Sequence, residues 1–152
     1  MSHAAALERA IAFAVTKHAG QVDKAGSPYI LHPLRVMGQM EDDVCRIAAV
    51  LHDVVEDCED VSMADIEALD LPAEAVEVVA LMTHPADEPY EDYIGRLAPH
   101  PLARQVKLAD LDDNMNVRRL TQVTGKEQKR LARYLKAYRH LTAASLPPAG
   151  HS

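Results

Sequence analysis

Four ionisable side chains follow an apolar stretch that is typical of a buried helix. Residues 47–51 are all apolar, and the chain then continues into His52, Asp53, Glu56 and Asp57. On a continuous helix, residues four positions apart share a face, so these side chains would form two adjacent polar stripes. Burying such groups without a partner is costly. A divalent cation is the simplest compensation, whereas a solvated helix end is the alternative.

One histidine and one aspartate elsewhere in the chain complete a set of candidate metal ligands. His32 precedes Pro33, where a loop meets a helix, and Asp110 lies within an otherwise apolar stretch. With His52 and Asp53 they offer imidazole nitrogens and carboxylate oxygens, which suit borderline and hard divalent ions. For each residue taken alone, the alternative is an ordinary buried polar group. The combination predicts a metal site.

Apolar residues recur at helical spacing in most of the segments that must position these groups. We expect helices at about 4–19, 33–40, 42–57, 62–69, 72–82, 89–97, 101–118 and 126–144. Residues 20–32 include Gly20, Gly26 and Pro28 and show no period, which predicts a loop. No stretch has the alternation expected of a strand, so the predicted fold class is all-α.

Length and charge restrict the class of protein. The chain has 152 residues, of which 48% are hydrophobic and 26% charged, so we expect a single domain at 1–146 with a flexible tail at 147–152. A formal net charge of −7 argues against a nucleic-acid partner. No apolar run approaches the roughly 18 residues that span a bilayer, which argues against a membrane partner. Cys45 and Cys58 form no CxxC pair, so we expect a cytoplasmic protein with free thiols.

Three segments match a known pattern in sequence, order and spacing: HAGQVDKAGSPYILHPLRV from His18, AAVLHDVVEDC from Ala48 and VKLADLDDNM from Val106. They resemble the HD-domain metal phosphohydrolases, and among these the hydrolase domain of the RelA/SpoT-type alarmone enzymes and their small single-domain relatives. The resemblance implies a compact bundle of about seven to eight helices around a metal site. The implied ligands are His32, His52, Asp53 and Asp110. The usual ion of this family is manganese, and the same ligands suit other divalent transition metals.

The resemblance also implies roles for residues around the metal. Glu56 and Asp57 take the positions of the catalytic acid pair. Asn114 would lie beside the metal and contact the nucleotide, and Lys24 would bind substrate from the loop.

Further substrate contacts are suggested by residue type. Tyr29 is a candidate to pack on a base, as are Tyr134 and Tyr138, although the spacing of the last two also fits core residues. Lys107 and Arg118 are candidates to bind phosphates, and an ion pair with a nearby acid is the alternative for each. The oligomeric state is unknown at this stage.

Three positions depart from the family pattern. Asp23 stands where the alarmone hydrolases usually have a basic residue, Leu111 where they have arginine, and Asp113 where many have histidine. We therefore expect a nucleotide substrate whose 3′-pyrophosphate is removed, such as ppGpp or its adenine counterpart, with the base preference open. One alternative is a metal-dependent phosphatase of another nucleotide, either a nucleoside monophosphate or a phosphorylated dinucleotide. Another is a non-catalytic nucleotide sensor.

Overall fold

The computed structural model describes residues 2–145, so the predicted tail at 147–152 lies outside the described residues. Over that range the chain forms helices and, apart from an isolated bridge between Val22 and Pro28, no β-structure. The predicted all-α class is therefore confirmed. The helices are α1 (Ala4–His18), α2 (Leu31–Gly38), α3 (Asp43–Leu51), α4 (Val54–Asp57), α5 (Met63–Glu67), α6 (Ala73–Met82), α7 (Tyr90–Leu97), α8 (Pro101–Asn114) and α9 (Gly125–Ser145), with a 3₁₀ turn at Val117–Arg119.

None of the helices within residues 2–145 has the length and apolarity that a membrane span requires. The cytoplasmic location and the single domain over 1–146 stay predictions.

Helix α3 lies at the centre of the bundle. Its residues from Ile47 to Leu51 are fully buried, and it packs against α1, α2, α6 and α8. The carboxylate of Asp42 caps its first turn by accepting a hydrogen bond of 2.9 Å from the backbone N–H of Cys45. A buried, capped helix gives His52, which follows its last residue, a fixed position.

The predicted continuous helix over 42–57 is wrong, because the chain breaks between α3 and α4. Asp53 has φ −119° and ψ 7°, outside helical geometry. Its carboxylate instead accepts a hydrogen bond from the Tyr29 hydroxyl, and aspartate has little preference for a helix interior. Because of this break, the four-residue spacing of His52 and Glu56 does not place them on one helical face.

Helix α8 carries the remaining part of the site. Pro101 occupies its start, and the His100 side chain accepts a hydrogen bond from the backbone N–H of Ala103. The helix ends at Asn114, four residues before the predicted end near 118. The reason is local, because the Asn116 side chain accepts from the backbone N–H of Arg118 and starts a separate 3₁₀ turn.

Candidate metal centre

The two histidines and two aspartates predicted as ligands converge beside the end of α3. Nε2 of His32 lies 2.8 Å, and Nε2 of His52 3.1 Å, from the same Oδ1 atom of Asp110. Nε2 of His52 is also 3.6 Å from Oδ2 of Asp53. Ligand atoms of His32, His52 and Asp53 all lie within 4.8 Å of one another. The structure therefore brings together residues from three separate segments, and all four are buried.

A buried carboxylate oxygen in this cluster indicates whether the cluster suits a cation. Oδ1 of Asp53 has no hydrogen-bond partner among the described residues. The Nε2 atom of His18, which also lacks one within residues 2–145, lies 3.5 Å away. Leaving a buried acceptor unsatisfied is unfavourable, and two imidazoles with two carboxylates form a donor set that divalent transition metals accept. The residues present therefore fit a divalent ion.

Both histidines have the ring orientation that metal binding requires. Nδ1 of His52 donates to the backbone carbonyl of Ala49 at 2.6 Å, and Nδ1 of His32 lies 2.6 Å from the carboxylate of Asp113. Carbonyl and ionised carboxylate oxygens only accept hydrogen bonds, so Nδ1 of each ring carries its hydrogen. Nε2 is then the atom that each ring offers to an ion.

Charges inside the cluster compensate one another. Burial alone would lower the pKa of His52, but the negative charges of Asp53 and Asp110 outweigh it and raise this pKa to about 10. Burial would raise the pKa of Asp110, yet Lys107 and then His52 hold it well below its usual range. Lys107 contacts Asp110 at 2.8 Å. These charges therefore favour ionised carboxylates and protonated imidazoles in the metal-free cluster.

Glu56 and Asp57, the predicted acid pair, lie on α4 at the edge of the same cavity. This cavity of about 200 Å³ is also bordered by His52, Asp53 and Asp110. Glu56 accepts a hydrogen bond from the backbone N–H of His84. Partial desolvation in the cleft raises the pKa of Glu56 and of Asp57, and the charge of Asp53 adds to the shift at Asp57. Both side chains remain accessible to water, as proton-transfer groups must be.

The predicted substrate residues lie around two adjacent cavities. Tyr29 and Asn114 border both the 200 Å³ cavity and a second one of about 320 Å³, as does Tyr134. Lys24 borders the second cavity. Lys107 borders the first cavity. It also forms an ion pair with Asp110, which was the predicted alternative to phosphate binding.

Other candidates from the sequence lie farther from these cavities. Arg118 is not among the described residues that border either one, and its Nε contacts Asn116 at 3.1 Å. Leu111 is completely buried in the core. At the position where the family has arginine, this chain therefore has an apolar side chain that packs in the core. Tyr138 packs against the core, as its helical spacing allowed.

Arg119 and His84 border the cavities and were not predicted as site residues from the sequence. Arg119 borders the second cavity, where it lies 3.4 Å from the carboxylate of Asp23. His84 borders the first cavity and stacks on Tyr93 with a centroid distance of 4.5 Å. No motif marks either residue: Arg119 ends the 3₁₀ turn after α8, and His84 follows α6 in a loop.

Known proteins resemble the chain in sequence and in fold. It is 39% identical over 142 residues to a probable guanosine-3′,5′-bis(diphosphate) 3′-pyrophosphohydrolase of Synechocystis sp., covering 84% of this chain and 18% of the relative. It is 33% identical over 123 residues to the guanosine-3′,5′-bis(diphosphate) 3′-pyrophosphohydrolase of Aquifex aeolicus, and this match covers 74% of this chain and 18% of the relative. The chain thus spans about a fifth of the length of these curated relatives.

A solved structure matches nearly the whole chain. It is described as a metazoan orthologue of SpoT that hydrolyses ppGpp and plays a role in starvation responses. The two share a TM-score of 0.74 and 27% sequence identity, over 92% of this chain and 85% of the other. No protein-family model matches.

Proposed function

We propose that this chain, a RelA/SpoT-like HD domain in sequence and fold, is a metal-dependent hydrolase that removes the 3′-pyrophosphate from an alarmone nucleotide. The observation that carries the proposal is the convergence of His32, His52, Asp53 and Asp110, with one buried carboxylate oxygen left without a partner in the described residues. The names of the curated relatives and of the structural neighbour support the reaction. We further propose Mn²⁺ as the ion, with other divalent transition metals as substitutes.

The residues bordering the first cavity have the chemistry for hydrolysis. When bound, a divalent ion supplies a Lewis acid that polarises a phosphoryl oxygen and lowers the pKa of a water. Glu56 is held by the His84 N–H, and its raised pKa suits it to accept a proton from the attacking water. Asp57 beside it orients that water or shares the proton transfer. General acid–base help of this kind contributes roughly 10² to 10⁴ in rate.

The second cavity is the proposed nucleoside site. It is bordered by Tyr29 and Tyr134, whose rings offer apolar surface to a base. Lys24, Arg119 and Arg130 border it together with the carboxylates of Asp23 and Glu127. The three cations are the groups that would bind a substrate carrying several phosphates on a protein of net charge −7. Nε of Arg119 is buried without a hydrogen-bond partner among the described residues, and an anionic group of the substrate would satisfy it.

The junction between the cavities is where the ribose would lie in this arrangement. Asn114 borders both cavities, and its amide donates to Oδ1 of Asp110 at 3.1 Å. The 3′-pyrophosphate would then enter the first cavity, which Lys107 borders. The hydroxyl of Tyr90, buried there without a partner in residues 2–145, is available to a phosphate oxygen.

A product assay tests the proposal. Purified protein is incubated with Mn²⁺ and, separately, ppGpp, its adenine counterpart and a nucleoside monophosphate, and the products are separated by ion-exchange chromatography. We expect pyrophosphate from at least one alarmone, none in the presence of a chelator, and none from a His52→Ala variant. Orthophosphate from the monophosphate would indicate a phosphatase instead. Tight binding of an alarmone without any product would indicate a sensor.

A further inference from the structure

A buried carboxylate lies behind the imidazole of His32. Oδ2 of Asp113 is 2.6 Å from Nδ1 of His32, whereas Nε2 on the opposite edge of the ring lies 2.8 Å from Oδ1 of Asp110. Asp113 is buried and belongs to the last turn of α8. The ring of His32 is therefore held between two carboxylates, of which Asp110 is in the ligand cluster and Asp113 is outside it.

Two arginines hold Asp113 in place. Arg35 forms a two-point contact, with Nε 2.7 Å from Oδ1 and Nη2 3.0 Å from Oδ2. Nη2 of Arg119 donates to the backbone carbonyl of Asp113 at 2.7 Å and lies 3.4 Å from its Oδ2. A two-point guanidinium contact fixes the plane of a carboxylate as well as its position. Asp113 therefore presents Oδ2 to His32 in a defined direction.

The ligand and its support come from the same two helices. Arg35 lies three residues after His32 on α2, so both side chains lie on the face that packs against α8. The carboxylate of Asp113 accepts two hydrogen bonds from Arg35 while its Oδ2 faces Nδ1 of His32.

We propose that Asp113 is a positioning residue of the metal centre, which orients His32 so that Nε2 presents its lone pair to the ion. The proposal rests on the metal-dependent function proposed above. A carboxylate that accepts Nδ1–H of a ligating histidine fixes the tautomer and raises the basicity of the other nitrogen, and its loss typically lowers metal affinity roughly 10- to 100-fold.

Mn²⁺ titrations of the full chain test the proposal. The variants are Asp113→Asn and, as a matched control, Asp112→Asn, which removes the same charge from the adjacent, exposed position of α8. We expect Asp113→Asn to weaken Mn²⁺ binding roughly 10- to 100-fold and Asp112→Asn to leave it unchanged. The melting temperature of each metal-free variant is measured separately, because a merely structural role would lower that temperature without changing the affinity of the folded protein.

Further variants separate failure of this inference from failure of the proposed function. If the wild type does not bind Mn²⁺, or if His32→Ala binds it as tightly as the wild type, the proposed metal centre is wrong and the inference falls with it. If binding depends on His32 but Asp113→Asn binds like the wild type, only the inference is overturned.

A variant of Arg35 covers the case in which Asp113→Asn does not fold. Arg35→Met keeps much of the length of a half-exposed side chain and removes the two-point contact. We expect weaker Mn²⁺ binding by this variant, because Asp113 loses its defined plane. Unchanged affinity would overturn the proposal.

Discussion

Nε2 of His52 lies 3.1 Å from Oδ1 of Asp110, although the two residues are 58 positions apart in the chain. The same oxygen is 2.8 Å from His32 and 3.1 Å from the amide of Asn114. The other oxygen of Asp110 is 2.8 Å from Lys107. A single carboxylate from α8 thus connects the end of α3 with the start of α2. Asp110 is therefore the residue on which the geometry of the candidate centre most depends.

Replacing Asp110 by alanine should affect both metal binding and stability. The change removes a candidate ligand, so the Mn²⁺-dependent rise in unfolding free energy, about 2.7 kcal/mol at a ligand concentration of 100 Kd, should be lost. It also leaves Lys107 buried without its partner, which costs roughly 3–5 kcal/mol. Thermal unfolding with and without Mn²⁺ measures both effects. Asp112→Ala, on the exposed side of the same helix, is the control, and a full Mn²⁺ shift in Asp110→Ala would contradict the ligand assignment.

Replacing Glu56 by glutamine should abolish most turnover while leaving metal affinity intact. The amide oxygen still accepts the hydrogen bond from the His84 N–H, but the side chain no longer takes up a proton. We expect the rate of pyrophosphate release to fall by roughly 10² to 10⁴ and Mn²⁺ binding to remain as in the wild type. Glu59→Gln, a nearby exposed position, serves as the control. Turnover that survives in Glu56→Gln would show that another group transfers the proton.

Mn²⁺ binding should release protons at neutral pH. Burial alone would lower the pKa of His52, but Asp53 and Asp110 raise it to about 10. For His32 the contacts with Asp110 and Asp113 similarly outweigh burial and raise the pKa. An imidazole binds a metal only in its neutral form, so these protons must leave. Mn²⁺ affinity should therefore increase as the pH rises from about 6 to about 8.

Calorimetry in buffers of different ionisation enthalpy measures this release directly. We expect the apparent binding enthalpy of Mn²⁺ to depend on the buffer, with about one or more protons released per ion. An affinity that does not change with pH, together with a buffer-independent enthalpy, would mean that the imidazoles are already neutral in the metal-free protein.

Residue types and their positions were sufficient to predict that four candidate ligands lie together. His52, Asp53 and Asp110 stand where apolar sequence would otherwise continue, His32 stands where a loop meets a helix, and the structure brings the four together. Helices were predictable for a related reason, since their apolar periodicity is a property of the local sequence.

What escaped prediction depends on contacts between distant segments. The break at Asp53 is accompanied by a hydrogen bond with Tyr29, 24 residues earlier. The support of His32 by Asp113 spans 81 residues. From sequence alone, Asp113 was only a departure from the family pattern. No local propensity encodes either contact, so both required the folded arrangement of α2, α3 and α8.

Replacing Asp42 by alanine should lower the stability of the fold without changing the metal centre. The substitution removes the 2.9 Å hydrogen bond to the Cys45 N–H at the first turn of α3, and loss of such a cap costs about 1 kcal/mol. His52 lies at the opposite end of this helix, so Mn²⁺ affinity should be unchanged. Urea unfolding measures the stability, and Asp42→Asn, which keeps a capping oxygen, should retain most of it. An unaltered urea midpoint in Asp42→Ala would show that the cap contributes little.

Replacing Asp57 by asparagine should stabilise the metal-free protein at neutral pH. Partial desolvation and the nearby charge of Asp53 raise the pKa of Asp57 in the folded state. A raised pKa means that the ionised side chain opposes folding, so its removal is favourable at any pH above the folded pKa. The gain should disappear as the pH falls below about 3.9, the usual value in the unfolded chain, because the carboxyl group is then protonated in both states.

Asp60→Asn provides a control of opposite sign for this prediction. Lys17 lies 3.1 Å from the carboxylate of Asp60 and lowers its pKa. A carboxylate whose pKa is lowered by folding stabilises the folded state at any pH above its pKa in the unfolded chain. This stabilisation is lost on acidification. Urea midpoints of both variants at pH 7 and at about pH 3.5, measured with a chelator present, should therefore show a gain for Asp57→Asn that vanishes in acid and no gain for Asp60→Asn. A lower midpoint for Asp57→Asn at pH 7 would mean that Asp57 supports the fold. The expected gain together with reduced turnover would identify Asp57 as a residue kept for catalysis at the expense of stability.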